Sequence, residues 1–203
     1  MPKRALDITI ALIGLIIFSP LMLVIAVLIK ADSRGPVFYR APRVGKDGRL
    51  FHMIKFRTMV ANAEKIGPAI TVDRDPRITG VGAHLRNSRL DEIPQLLNVL
   101  QGEMSMVGPR PEAPYYVEMY SPEQRKVLAA KPGMTGPAQI AFRHEEEDLS
   151  NAENLDQQYM NTILPPKLAM DLTYIEQHSP VTDIKILLQT AWVLLADRLR
   201  VRP

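Results

Sequence analysis

The chain opens with its longest apolar run, Ile8 to Ile29, 22 residues without a charge. Lys3 and Arg4 precede it, and Lys30 and Arg34 follow. A straight helix of that length is able to cross the hydrocarbon of a bilayer. Ser19-Pro20 stands in its middle, where proline removes a backbone hydrogen bond and bends a helix. Basic residues at both ends differ from the one-sided excess that orients a spanning helix. The pattern therefore predicts a helix–break–helix hairpin over residues 1–31 that enters and leaves one membrane face. A kinked spanning helix and a buried core helix remain alternatives, while a cleaved signal peptide fits poorly because no small-x-small site follows.

After this run the period shortens. Val37-Phe38-Tyr39 and Leu50 to Ile54 read as two strands, between the turn signals Gly35-Pro36, Ala41-Pro42 and Lys46-Asp47-Gly48. Lys55 to Met59 alternates basic and apolar residues, which puts Lys55 and Arg57 on one face of an extended segment. Residues 61–85 read as two short helices around a polar loop containing Asp73-Arg74-Asp75. A helical period then returns at Ile93, Leu96, Leu97 and Leu100, closed by Gly102. Asp91 suits the N-cap of this helix, with Pro94 in its first turn and its own pKa held down by the helix terminus. Ser121-Pro122-Glu123-Gln124 opens another helix with a capping box, running to Ala130. Lys131 to Pro137 is a glycine-bearing loop, and Arg143 to Asp148 turns acidic as a solvated face. The last third holds helices at 166–177 (Leu168, Leu172, Ile175) and 183–199 (Ile184, Leu187, Leu188, Trp192, Leu195). The second suits a membrane interface as well as it suits packing inside the domain. The expected fold class is α+β, mainly helical, with the hairpin at 1–31 and a cytosolic catalytic domain with interfacial helices at 32–203.

Composition narrows the function classes. Net charge +3, with 6% aromatic residues, gives no footprint for nucleic acid. The chain has no cysteine, so disulfides and thiolate metal sites are excluded, and its 4 histidines have no ligand spacing.

Chemistry concentrates between Arg86 and Glu112. Asp91 and Glu92 are adjacent carboxylates behind Arg86 and Arg89, which reads either as a salt bridge or as a nucleophile beside a bound anion. Gly108-Pro109-Arg110-Pro111 fixes φ on both sides of one arginine. Lys55 and Arg57 form a phosphate clamp or a solvated face. Asp73 and Asp75 match a spacing used to hold a divalent cation, or form an ordinary charged turn.

In combination these motifs resemble the bacterial sugar transferase family, the monotopic phosphoglycosyl transferases. The resemblance rests on Leu90-Asp91-Glu92-Ile93-Pro94-Gln95-Leu96, Asn98-Val99-Leu100, Gly102, Met104-Ser105 and Val107-Gly108-Pro109-Arg110-Pro111. Lys55 to Met59, Asp75 to Thr79, Pro132 to Gly136 with Gln139, and Asp183 to Leu187 follow in family order. It implies transfer of a phosphosugar from a UDP-sugar to a polyprenol (undecaprenyl) phosphate, with release of UMP, as the first membrane step of polysaccharide synthesis. It implies Mg2+, a covalent phosphosugar on Asp91, and Glu92 as metal support or base, the Asp91–Glu92 pair holding the ion. Lys55, Arg57, Arg86, Pro109, Arg110, Pro111 and Gln139 would bind substrate. Seating in one leaflet at the cytoplasmic face of the bacterial plasma membrane, through a helix broken at Ser19 and Pro20, is also implied, and a homodimer is compatible with it. Arg89, Gly80 and Ile140 to His144 depart from the family pattern, which bears on sugar specificity and on the nucleotide pocket. Two rival classes are a catalytically silent binder of nucleotide sugars and a glycosidic-bond-forming transferase with its metal on Asp73 and Asp75.

Overall fold

The computed structural model describes residues 2–63, 66, 71, 75–145, 149 and 154–199. Its first element, α1 (Pro2–Asp32), is one uninterrupted helix with Pro20 inside it. The expected break into two helices is not formed. The reason lies in Ser19: proline cannot donate to the Ile16 carbonyl, and the Ser19 hydroxyl donates to it instead, at 2.9 Å. One stripe of α1 faces protein, with Asp7, Ala11, Ile25 and Ile29 buried. The opposite side exposes Leu12, Ile13, Ile16, Ile17, Leu23, Val24, Val27 and Leu28. The helix is long and apolar enough to cross a membrane.

Both ends of α1 rest on the same body of protein. Near its start, Arg4 donates to the carbonyls of Val99 and Leu100 at 2.6 and 2.8 Å. At its end, the Arg57 guanidinium gathers the carbonyls of Ile29, Ser33 and Arg34, and Asp32 accepts from the Val81 amide. These bonds satisfy carbonyls that a helix C-terminus leaves without partners.

The two predicted strands pair as an antiparallel hairpin, β1 (Phe38–Val44) with β2 (Leu50–Phe56), in the register Phe38↔Phe56 to Val44↔Leu50. α2 (Gly80–Asn87) is capped by the Thr79 hydroxyl. The first of the two short helices expected at 61–85 lies largely outside the described residues, as does Asp73. α3 (Gln95–Gln101) ends at Gly102, whose φ of 85° is the left-handed turn that favours glycine. A short parallel pair follows, β3 (Ser105–Val107) with β4 (Gly133–Thr135). Glycine is required where the two meet: a Cβ on Gly133 would stand 2.1 Å from the Gly108 nitrogen. Between these strands lie α4 (Pro114–Glu118) and a 3-10 turn at Gln124–Ala129. The capping box forms there as expected, with Ser121 and Gln124 bonding each other's amides at 3.2 and 2.9 Å, but the turn it opens is 3-10 and not α.

α5 (Pro137–Ala141), α6 (Leu155–Gln158), a π-helical turn at Tyr159–Ile163, α7 (Leu164–Gln177) and α8 (Pro180–Leu199) complete the chain. One core joins Ala11 of α1 to Leu96 and Val99 of α3, Met106 and Val107 of β3, Met53 of β2, Tyr174 and Ile186. A second is built from Tyr116, Val117, Tyr120, Val127, Tyr159, Ile163, Leu164 and Leu168. α8 leaves Val181, Ile184, Leu188, Trp192 and Leu195 exposed along one side. Among the described residues the fold is mainly helical with two small sheets.

Candidate active site

Asp91 does not cap α3. It sits in a tight 3-10 turn, Leu90–Glu92, that follows Arg89 in the left-handed conformation (φ 57°), and Pro94 occupies the residue before the helix. A non-glycine residue at positive φ is uncommon and costs on the order of 1 kcal/mol. Here it reverses the chain between α2 and α3, so that both carboxylates are presented on a short turn. Ile93, Gln95, Leu96, Asn98 and Val99 are buried below it. The apolar period identified Ile93 and Leu96 correctly. It missed Gln95 and Asn98, polar residues buried with the apolar ones; Asn98 is held there by tertiary hydrogen bonds.

Cations converge on this turn from several segments. Lys55, at the end of β2, lies 2.7 Å from the Glu92 carboxylate, and Arg110 is 3.6 Å from the same oxygen. Arg86 and Arg89 act electrostatically on Asp91. The strand that delivers Lys55 is held by Asn98, whose side chain accepts from the Ile54 amide at 2.9 Å and donates to the His52 carbonyl at 2.8 Å. The free edge of β2 is thus closed by one amide side chain imitating a neighbouring strand.

The two adjacent carboxylates differ in acidity. Burial raises Asp91, and neighbouring Glu92 adds to it, against Lys55, Arg86 and Arg89; the result is a pKa of about 6. Burial also pushes Glu92 upward, but Lys55, Arg110 and Arg89 outweigh it and hold Glu92 well below the usual carboxylate range. The expected depression of Asp91 by a helix terminus is therefore reversed, because there is no helix terminus at Asp91 and desolvation dominates. Arg110 is raised despite its burial, through Glu92, Glu145 and Glu112.

Behind Arg110 lies a second charged group that sequence patterning did not reveal. Lys167, buried on α7, bonds Glu145 at 2.7 Å and stands 3.7 Å from Glu112, with its charge 5.1 Å from the centre of the Tyr159 ring. The Tyr159 hydroxyl donates to Glu112 at 2.6 Å. Glu145 is thus partly buried and paired with a buried lysine, which corrects the expectation that it belongs to a solvated acidic face. Glu146, Glu147 and Asp148 lie outside the described residues. Pro109 and Pro111 are buried on either side of half-buried Arg110, and a small cleft beside them is lined by Val44, Glu112, Val117, Tyr120 and Val127.

Not every candidate joins the cluster. Arg57 is committed to the end of α1, so Lys55 and Arg57 do not form one clamp face: the strand ends at Phe56 and the two side chains diverge. Gln139 reaches the carbonyls of Gly108 and Gly133 at 3.5 and 3.4 Å, the outer limit of a hydrogen bond, and braces the loop that carries Arg110. Asp75 is paired with Arg77 at 2.6 Å, and Arg77 also donates to the Ala63 carbonyl. That makes Asp75 a structural anchor, which weakens the reading of Asp73 and Asp75 as a metal motif.

Among the described residues no group of three or more metal-ligating side chains gathers. Asp91 and Glu92 supply two neighbouring sets of oxygen donors. Two carboxylates suit a hydrated Mg2+ completed by diphosphate oxygens better than they suit a cage made by protein alone.

The profile of the family described as "Bacterial sugar transferase" matches residues 1–197. The chain is 38% identical over 198 residues to a UDP-N-acetylgalactosamine-undecaprenyl-phosphate N-acetylgalactosaminephosphotransferase of Aeromonas hydrophila, covering 95% of this chain and 43% of that protein. It is 36% identical over 203 residues to the exopolysaccharide production protein ExoY of Sinorhizobium fredii, covering 93% and 83%. It is 38% identical over 197 residues to a UDP-glucose:undecaprenyl-phosphate glucose-1-phosphate transferase of Caulobacter vibrioides, covering 95% and 69%. The chain thus spans less than half of the Aeromonas protein and most of the Sinorhizobium one.

Proposed function

The chain belongs to the bacterial sugar transferase family, and from that premise we propose that it moves a sugar 1-phosphate from a UDP-sugar to undecaprenyl phosphate, releasing UMP. The observation that carries the reading is the pair Asp91–Glu92: two adjacent carboxylates of opposite acidity inside a ring of Lys55, Arg86, Arg89 and Arg110. Phosphoryl transfer asks the protein mainly for positioning and for neutralising charge, and the cations suit that work.

In the proposed sequence Asp91 is the nucleophile. A pKa near 6 leaves it ionised at neutral pH yet more basic than an ordinary aspartate, which favours attack. Its carboxylate forms a bond to the sugar-bearing phosphorus, and the bond from that phosphorus to the bridging oxygen breaks. The electron pair leaves on UMP, and the sugar phosphate remains as an acyl phosphate. An oxygen of undecaprenyl phosphate then attacks the same phosphorus, the Asp91 carboxylate leaves, and a lipid diphosphate sugar results. Arg110 and Lys55 bind diphosphate oxygens, while Glu92 keeps both cations aimed at the site. Mg2+, held by Asp91 and Glu92, would neutralise further diphosphate charge.

The same reading covers the membrane. Both ends of α1 are bonded to one domain, through Arg4 at the start and Arg57 at the end. A helix crossing the bilayer would carry one end to the far side, so this supports a seat in one leaflet. The apolar outer side of α1 and the exposed Trp192 side of α8 supply the lipid contact. The chain has no cysteine, so a single cysteine placed at residue 2 is a clean topology probe. Protection from external reagent in intact cells is expected, and labelling from outside would overturn the one-leaflet seat.

Identifying the released nucleotide tests the activity. Mixing the protein with several UDP-sugars, Mg2+ and undecaprenyl phosphate should yield UMP. Release of UDP would indicate a glycosidic transferase, and binding without any release a silent binder.

A further inference from the structure

β3 is the strand that leads directly into Gly108-Pro109-Arg110, and β4 covers one of its edges. The Ser105 amide donates to Pro132 on that side at 2.8 Å. Further along, the Gly108 amide donates to Thr135 at 2.9 Å, and the Gly133 amide donates to the Pro109 carbonyl at 2.8 Å. The other edge of β3 has no strand against it among the described residues. It is closed by the second turn of the apolar helix. Asp7 accepts from the Met106 amide at 2.9 Å and from the Ser105 hydroxyl at 3.0 Å. Lys3 donates to the Val107 carbonyl at 3.0 Å, and its charge is paired with the buried carboxylate of Asp183 on α8. The Tyr174 hydroxyl lies 2.6 Å from Asp183 and 3.2 Å from the Val107 carbonyl.

A carboxylate is an unusual residue to find at the start of an apolar helix, buried to 4% exposure. Its desolvation is costly unless hydrogen bonds offset it, and the donors that do so belong to β3. An aliphatic residue at position 7 would extend the apolar run but would leave the Met106 amide without a partner. Asp7 therefore acts on β3 rather than on the bilayer, and on this edge it alone holds the Met106 amide, while Lys3 and Tyr174 hold the Val107 carbonyl. Any rotation of β3 swings Pro109 and Arg110, three and four residues on from Met106, away from Glu92.

We infer that Asp7 is a positioning residue for Arg110: the membrane helix closes the open edge of β3 and thereby sets the phosphate-binding loop. This rests on the reading of Arg110 as a phosphate ligand. It ties seating of the helix N-terminus to formation of the substrate site, so that a displaced α1 leaves the site without its aligned arginine.

A double-mutant cycle on the full chain in lipid nanodiscs tests it. The variants are D7A, D7N, R110A and D7A/R110A, read by initial rates of UMP release over a range of UDP-sugar concentrations and by Tm. D7A should lower kcat/KM at least tenfold, and the double variant should fall no more than threefold below R110A alone. D7N, whose amide oxygen still accepts from Met106, should remain within threefold of wild type. Losses that multiply in D7A/R110A, or a D7A protein as active as wild type, would overturn the assignment. If D7A fails to fold, the same cycle is run with S105A, which removes one of the two bonds. Non-additivity with R110A then supports the inference, and a multiplying loss or an unchanged rate defeats it. R110A at wild-type activity would instead defeat the phosphate reading of Arg110, whatever Asp7 does.

Discussion

Arg110 stands between two groups of buried acids, and the contrast between them explains why one is a site and the other is scaffold. On one side is Asp91, with a pKa of about 6; on the other is Asp171 on α7, which burial raises to about 7 against the pull of Lys167. Both are aspartates made less acidic by desolvation. The surroundings separate them. The side chains next to Asp91 reach the surface, with Lys55 18%, Glu92 16% and Arg110 26% exposed. Around Asp171 the shell is closed: Lys167 is 3% exposed and stands against Tyr159. Asp91 also lies on a turn held by an unusual backbone at Arg89, whereas Asp171 lies mid-helix, where no ligand can approach. A perturbed carboxylate becomes a candidate nucleophile only where an anion can reach it and cations wait for that anion.

The sharpest way to break this contrast is to neutralise each aspartate. D91N should abolish turnover, because an amide is no nucleophile, while D171N should retain activity within about fivefold. Stability should move oppositely to activity at Asp91. Its folded pKa is raised, so folding favours the protonated form, and stability is lost as pH rises from about 4 to about 6. At pH 7 D91N should therefore be more stable by about 1–2 kcal/mol, read as a few degrees in Tm. A D91N protein that is both inactive and markedly less stable would make Asp91 structural.

E92Q is expected to come next in size. It removes the charge that aligns Lys55 and Arg110, so steady-state turnover should fall at least a hundredfold, measured as UMP release with lipid acceptor present. R110A should then cost roughly 2–4 kcal/mol of transition-state stabilisation, about 30- to 1000-fold in kcat/KM. Activity within a few-fold of wild type would reduce Arg110 to a packing residue. The mildest test is pH. The nucleophile must be ionised, so the rate of UMP release without lipid should rise about tenfold per pH unit below 6 and level off above it. A rate independent of pH between 5 and 7 would detach that pKa from the chemistry.

How much of this was legible in the sequence follows from what kind of interaction each residue makes. The β-hairpin, Gly102, the capping box at Ser121 and the Asp91–Glu92 pair carry local signals, in alternation, turn chemistry or adjacency; of these the first strand runs further than expected, through the Ala41-Pro42 read as a turn. Asp91 as a helix cap did not survive, because the left-handed Arg89 starts a separate turn that no propensity announces. Arg57 read as a phosphate ligand, but its nearest acceptors are carbonyls 23 to 28 positions away. Asp7, Asn98 and Lys167 were invisible for the same reason: each closes a strand edge or a charge network over a long separation. Asp7 left one trace, a lone carboxylate at the border of an apolar run, and burial there asks for a polar partner.

The most direct measurement of the central claim is the mass of the intact protein after mixing with a UDP-sugar and Mg2+ and no lipid. Asp91 as nucleophile requires a gain of one phosphosugar, a burst of up to one equivalent of UMP that then stops, loss of the added mass with hydroxylamine, and none of these in D91N. An unmodified mass, with UMP appearing only once undecaprenyl phosphate is added to an active preparation, would contradict the covalent route and leave a single-step transfer in its place.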